Sequence, residues 1–493
     1  MSSMRSSRGG ILAHSRYALV AVLVAVAFGA AASSAVAKGR VEIVSQSGPP
    51  PGPIPANTHY FTTIQAAVNA TGHGDWVLIE PGVYDEEVKV EKPHSDIWIR
   101  GMDRNSVILD GQHKPLPGGS NGLEIKETSK VWVENLTARN FDRFTPEGPG
   151  GNEIWWNGGE GSGKVKARGW YGHYLTAYDD GLNGGYGIFT NNETIGDWSN
   201  IYASGFNDSG IYLGACQECR AHISKATIEY NAVGYSGSNS GGELTIEDST
   251  FAHNSAGIVP NSENPGDGPP PQDGECNRKN LQHPNPTPAI SGTGIARCTI
   301  IRHNLITEND NLSAPANAST EGAPWGVGVE LPGDYADLIE ENTISKNPNN
   351  GVLGFEYPNP FPPTEQTIYF QLAGNKIAGN TFINNGYSGA SYASDVTLQG
   401  GLFSSGKSQS TNNCVSGNSF SAPTPSYPAN IETTWGCQNA TTPNPNNGFG
   451  AVEYLLQLQG ESEAREAVGQ PVPPPQPTMP NPCQGVPKNP LCP

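Results

Sequence analysis

Charge is scarce in this chain of 493 residues. Only 15% of them are Asp, Glu, Lys or Arg, and the 28 basic residues are outnumbered by 47 acidic ones, for a formal net charge of −19. Without clustered Lys and Arg the chain lacks the means to track phosphates, which excludes a nucleic-acid binder and leaves an acidic surface suited to solubility and to cations. Methionine is nearly absent: past residue 37 only Met102 and Met479 remain, and the histidines fall in no common column. Soft ligands for metal transport are therefore few. Long apolar runs are missing too, with one exception. Tyr17 to Ala32 is apolar over 16 residues, behind Arg5, Arg8 and Arg16 and ahead of Ala35-Val36-Ala37. That is short of the ~20 residues a spanning helix needs, and it reads as a signal peptide over 1–37. Its removal takes three arginines and no acids, moving the formal charge from −19 to −22. The expectation is a secreted protein, extracellular or on the cell surface, monomeric and with no membrane span after cleavage.

Glycine is plentiful instead (61 residues), with Asn and Ser to match. Such a composition favours many short strands joined by tight turns over helices. A motif Ile-x-x-(Asn/Ser)-x-(Ile/Phe)-x-x-Asn recurs with fixed spacing. It appears as Ile246/Ser249/Phe251/Asn254, Ile301/Asn304/Ile306/Asn309, Ile339/Asn342/Ile344/Asn347 and Ile377/Asn380/Phe382/Asn385, with weaker copies from Ile223 and Val415. The copies at Ile301, Ile339, Ile377 and Val415 lie 38 residues apart, and those at Ile223 and Ile246 lie 23 apart. A period near 23 is one solenoid coil, and 38 is that coil with a longer loop. Coils stacked ~4.8 Å apart set identical positions above one another. The spacing thus predicts two interior apolar stacks, from the first Ile and from the Ile/Phe of the motif. It also predicts a polar ladder of Asn304, Asn342, Asn380 and Asn418 at a turn, bonded amide to amide, with Asn in the left-handed backbone. Glu247, Arg302 and Glu340, one position after the interior Ile, should form a solvated charge ladder on the outside. The fold class is all-β, a single-stranded right-handed parallel β-helix. A short N-terminal helix from Thr63 to Val68 caps it against edge pairing.

The run "GDWVLIEPGVYDEEVKV" from Gly74 resembles the first coil of extracellular pectin-lyase-like proteins. The later coils are similar to those of the nitrous-oxide-reductase maturation accessory group and other right-handed β-helix repeat proteins. The resemblance spans roughly residues 57–440 and implies the fold more than an activity, since that superfamily hosts lyases, hydrolases, esterases, epimerases and non-enzymes. The family's catalytic motifs are mostly missing. There is no Asp-Pro-His-Asp of mannuronate epimerases and no Arg-x-Pro-x-x-Arg of pectate lyases. Of the galacturonan-hydrolase pattern only the paired Asp179-Asp180 stands. Outside the solenoid, residues 38–56 read as a Pro-rich linker, 441–469 as a C-terminal helical segment with its helix from Ala451 to Val468, and 470–493 as a disordered Pro-rich tail.

Eight cysteines past the apolar run fit an oxidising compartment. Nearest-neighbour pairing gives Cys276–Cys298, Cys414–Cys437 and Cys483–Cys492. Cys216–Cys219 reads as a local disulfide rather than half a metal site, because no second such pair stands near it.

Chemistry is harder to place. Insertions over 141–153, 259–294, 310–328, 353–370 and 386–412 would emerge beside the coils and make a binding surface. In and near them Trp155, Trp156, Trp325 and Tyr357 offer aromatic faces for sugar rings. Asp179, Asp180 and Asp208 are the candidate catalytic carboxylates, with His173 and His253 as proton carriers. Asp208, in Asn207-Asp208-Ser209-Gly210, also suits a turn. Ca²⁺ fits an acidic loop surface, although no ligand spacing compels it, and no other cofactor is implied. Three readings follow: a protein that binds or modifies an extracellular polysaccharide or cell-wall glycan, uronate-containing or not; a non-catalytic surface β-helix; and a periplasmic metal-delivery accessory protein.

Overall fold

In the computed structural model the described residues are 39–114, 119–145, 150–159, 167–181, 183–216, 218–262, 297–313, 325–359, 368–400, 410–421, 425–439, 444–463 and 470–493. The signal-peptide expectation, Cys276 and most of the insertion 259–294 lie outside them. Three short strands make each coil. Ala221–Ser224, Thr227–Glu229 and Val233–Ser238 form one, and Leu244–Glu247, Thr250–Ala252 and Ala256–Asn261 form the next, each strand pairing in parallel with its counterpart. Repetition along the chain builds three parallel walls around a single apolar core. This is the right-handed parallel β-helix that the repeat predicts.

The columns fall where the period places them. Ile223, Ile246, Ile301, Ile339, Ile377 and Val415 are consecutive partners, every one fully buried. Ile228, Phe251, Ile306, Ile344 and Phe382 form the second stack. Each such side chain contributes roughly 1.5–3 kcal/mol by leaving water. The ladder amides bond as expected: the Asn342 Oδ1 accepts from the backbone and side-chain nitrogens of Asn304 at 2.9 and 3.0 Å. Asn380 and Asn418 continue the pattern, and the Glu432 carboxylate terminates it. A second ladder runs from Asn231 through Asn254, Asn309 and Asn347 to Asn385, ending on Asp395. A third links Asn375, Asn413 and Asn444.

One detail of the turns differs from the expectation. The left-handed residue is not the Asn but the one before it, as in His303 and Glu341 (φ 54° for both) and in His253, Glu308 and Lys346 (φ 55°, 52° and 54°). The chain turns the corner there with that side chain directed outward, which leaves the following amide free to point inward to its ladder.

Both ends are more ordered than composition suggests. Residues 38–56 are not all linker, because Val41–Val44 is a fully buried strand paired with Thr58–Phe61 and Trp76–Ile79. The capping helix is Ile64–Ala70, where the Thr63 hydroxyl accepts from the Ala66 backbone N–H at 3.2 Å. The C-terminal helix covers Ala451–Glu463 and buries Tyr454 and Leu458. Beyond it, the segment from Gln470 carries no helix or strand, yet it is docked rather than disordered. Proline removes donors but leaves carbonyls, and the wall supplies the missing partners. The Arg100 guanidinium donates to the Pro482 and Gln484 carbonyls at 2.8 and 2.7 Å, and Arg104 donates to Pro477 at 3.0 Å. Cys492 and Cys483 then pack over Val41, Ile43, Trp76 and Leu78. Cys216–Cys219, Cys414–Cys437 and Cys483–Cys492 are disulfides, and Cys298 is disulfide-bonded as well. Among the described residues no helix is long and apolar enough to cross a membrane.

Candidate functional site

One corner breaks the repeat. Leu109, Ala138, Ala177, Ala203, Ile228 and Phe251 are in register on successive coils. Three residues further on, that column carries Gln112, Phe141, Asp180, Phe206, Asn231 and Asn254, and all but Gln112 and Asp180 are buried. In the regular coils the preceding residue takes positive φ, as Gly205, Tyr230 and His253 do. At Asp179-Asp180 the two positions are exchanged. Asp179 takes no positive φ and is turned inward, 1% exposed, while the Asp180 side chain is 34% exposed. Departures from an otherwise consistent pattern are where function or strain is expected.

The turns of the two preceding coils add to this corner. His113, Asp142 and Asp179 bring ligand-capable atoms within 4.8 Å of one another. His113 is the exposed member. Its Nε2 lies 2.7 Å from the Asp180 Oδ1, and its Nδ1 is 3.2 and 3.3 Å from the two oxygens of Asp142. Asp179 Oδ1 accepts from the Gly181 backbone N–H at 2.7 Å, whereas its buried Oδ2 accepts no hydrogen bond. Behind it Glu153 is fully buried, with Oε1 accepting from the Phe141 N–H at 3.1 Å and Oε2 unpartnered. Space for these groups comes from glycine. A Cβ on Gly184 would stand 2.5 Å from Asp179 Oδ2, and one on Gly181 would stand 2.8 Å from the His113 ring.

Arginines stand to either side. Arg139 donates to Asp110 Oδ2 at 2.8 and 2.6 Å and to the Tyr178 hydroxyl at 2.7 Å. Arg143 lies over the Tyr186 ring and 3.7 Å from the Asp208 Oδ2. Burial, then the neighbouring Asp142, pushes the Asp179 carboxyl well above the usual carboxylate range. Burial and the nearby Asp179 do the same to Glu153. Burial works to lower the His113 imidazole, but Asp180 and Asp142 outweigh it and its pKa is raised. Chemically, the corner holds an imidazole and an exposed carboxylate in contact above buried acids. It can orient a proton-exchanging carboxylate, and its inner atoms can take a cation.

Of the residues expected from sequence, Asp179 and Asp180 form this corner, and Asp208 borders it through Arg143. Asp208 is 2% exposed and accepts from the Ser209 hydroxyl at 2.9 Å, the turn arrangement its sequence suggested. His113, Asp142 and Glu153 escaped the sequence reading. The irregular early coils offer no motif to set their register, and Glu153 sits in an apolar run, Asn152–Asn157.

His173 and His253 are elsewhere. His253 is three coils further along the corner, ~14 Å away at one strand spacing per coil, with its ring stacked on Tyr230 at 5.1 Å. His173 belongs to an outer ladder of alternating charge on the first wall. It touches Glu134 at 3.1 Å and Asp197 at 2.9 Å; His222 then bridges Asp197 and Glu247 at 3.0 and 2.8 Å. Arg302 closes the ladder on Glu247 at 2.7 Å, as its register predicted, whereas Glu340, its register partner on the next coil, forms no salt bridge with it. Burial opposes the charge on His173, yet the two carboxylates raise its pKa to about 9. Such a group is a held imidazolium rather than a base.

Among the described residues the four aromatic candidates are not brought together on one face. Trp156 is fully buried in the core. Trp155 stacks on Phe189 at 5.1 Å, and its indole N–H donates to Asn191 at 2.9 Å. Trp325 is half-buried, its carbonyl accepting from Asn349, and Tyr357 packs against the cluster around Leu353, Phe355 and Phe449. On the first wall Trp76, Trp98, Trp132 and Tyr171 stack on each other at 4.4 to 4.7 Å, which consumes their faces.

No family model matches the sequence, and no curated protein matches it. Solved structures are similar at low identity. The A-module of the Azotobacter vinelandii mannuronan C-5 epimerase AlgE6 is 14% identical, over 74% of this chain and 92% of that one, with a TM-score of 0.42. The Dettilon tailspike protein is 14% identical, over 72% and 58%, with a TM-score of 0.44. A tailspike protein double mutant of E. coli bacteriophage HK620, in complex with a pentasaccharide, is 10% identical over 72% and 51%, with a TM-score of 0.40. The chain thus spans little more than half of either tailspike chain. No activity is carried across from these structures.

Proposed function

We propose that this is a secreted β-helix protein that binds an extracellular polysaccharide along its wall and modifies it by proton transfer at the Asp179-Asp180 corner. The observation that carries the reading is the exposed Asp180 carboxylate, turned out of the ladder column and held at 2.7 Å by His113 Nε2. An oriented, solvent-facing carboxylate is what taking or returning a proton at a sugar ring requires. His113 orients it, while Asp142, Asp179 and Glu153 lie behind the pair. The corner is acidic, so it favours a neutral polymer, or a uronate polymer with a cation between the two sets of carboxylates. A long solenoid wall suits an extended chain better than a small molecule.

The test is a panel of neutral and uronate-containing polysaccharides, incubated with the purified mature protein with and without Ca²⁺ and read by binding and product analysis. One polymer class should be retained and chemically changed. A protein that neither binds nor alters any of them would refute the reading.

A further inference from the structure

We propose that His113, Asp142 and Asp179 form a binding site for a divalent transition-metal ion of the Zn²⁺ or Mn²⁺ class. This goes beyond the polysaccharide reading and does not depend on it. Among the described residues no other three His, Cys, Asp or Glu side chains converge so closely.

The geometry separates the two nitrogens of His113. Nε2 meets Asp180 at 2.7 Å, while Nδ1 faces Asp142 at 3.2 Å. A ring that donates one N–H to an outer carboxylate is fixed in the tautomer whose other nitrogen carries a lone pair, the usual support of a metal-bound histidine. That lone pair points to where two carboxylates converge. Two further observations, independent of the convergence, mark the same spot. Asp179 Oδ2 is buried and accepts no hydrogen bond, and Glu153 Oε2, fully buried behind it, has no partner either. Buried acceptors without donors are costly unless a proton or cation serves them. The donor set chooses the ion. One imidazole with carboxylate oxygens suits Zn²⁺ or Mn²⁺, whereas Ca²⁺ asks for six to eight oxygens. His113 is the exposed ligand, so an ion can enter from solvent and keep a position open to it.

The experiment is calorimetric titration of the chelator-stripped mature protein with ZnCl₂, MnCl₂ and CaCl₂ in separate runs, with melting temperature as a second readout and no polysaccharide present. The wild type should take one equivalent of Zn²⁺ or Mn²⁺ and melt higher when loaded. His113→Ala, a change on the surface, should melt like the wild type when ion-free and bind at least about tenfold more weakly. Asp180→Asn should weaken binding by about 10- to 100-fold through the lost support. His303→Ala, removing another exposed histidine beside acids, should change nothing. Absence of stoichiometric binding would overturn the proposal. So would a preference for Ca²⁺, or binding that survives His113→Ala.

Discussion

Alkaline pH should loosen the first wall at His173, and the magnitude follows from the ladder. Between Glu134 and Asp197 the His173 pKa stands at about 9, against ~6.5 in an unfolded chain. Because the folded value is the higher one, the stabilisation is complete below pH ~6.5 and is lost as pH rises through about 9. Asp197 behaves oppositely. Burial opposes its charge, but His173 and His222 hold its pKa at about 2, so its share is present above pH ~3.9 and disappears as pH falls toward 2. Raising the His173 imidazole from ~6.5 to about 9 corresponds to ~3.4 kcal/mol at most. The Asp197 depression describes the same ion pair and is not added. With the ring 23% exposed, ~1–2 kcal/mol is the expected measured loss.

Urea denaturation of wild type and His173→Gln between pH 6 and pH 10 reads it directly. Glutamine keeps a donor but no charge, and subtracting its curve removes contributions from His222. Wild type should lose ~1–2 kcal/mol more than the variant over that range. Parallel curves would refute the reasoning.

Truncating Ile339 to Ala should cost ~2–5 kcal/mol, because the column above and below is fixed and the cavity cannot collapse; calorimetric melting checks it. Asn342→Ala strands the Asn304 backbone N–H and should cost ~1–3 kcal/mol in the same assay. Arg104→Ala should release the tail, because Arg104 ties the Pro477 carbonyl to Thr176. Limited proteolysis should then cut between residues 470 and 482 in the variant and spare the wild type.

How far the sequence foretold the molecule depended on repetition. Ile301, Ile339 and Ile377 sit at equal spacing, and equal spacing in a stacked solenoid is register. Their burial and their Asn ladders were therefore readable without coordinates. Arg302 against Glu247 followed from the same register. Val41–Val44 was not readable: four residues next to "GPPPGPIP" show no period, and their outer face is buried by a tail more than 400 residues away. Nor was the docking of that tail, since carbonyls that accept from Arg100 leave no trace in composition. At the site, Asp179 and Asp180 could be named from residue type alone. What sets them apart is the exchange of inward and outward positions, together with the arrival of His113 and Asp142 from other coils. Those coils carry no motif copy, so their alignment existed only in three dimensions.

On the proposed function, the inverted corner with Asp180 facing outward is where the protein acts. Asp180→Asn removes that carboxylate's charge with almost no change in shape. The decisive measurement is product formation by this variant and by wild type, on whichever polysaccharide the panel identifies, at matched melting temperature. Turnover should be at least ~100-fold lower in Asp180→Asn, the scale of a lost general acid or base. A folded Asp180→Asn protein that processes the polymer as fast as wild type would contradict the proposed function.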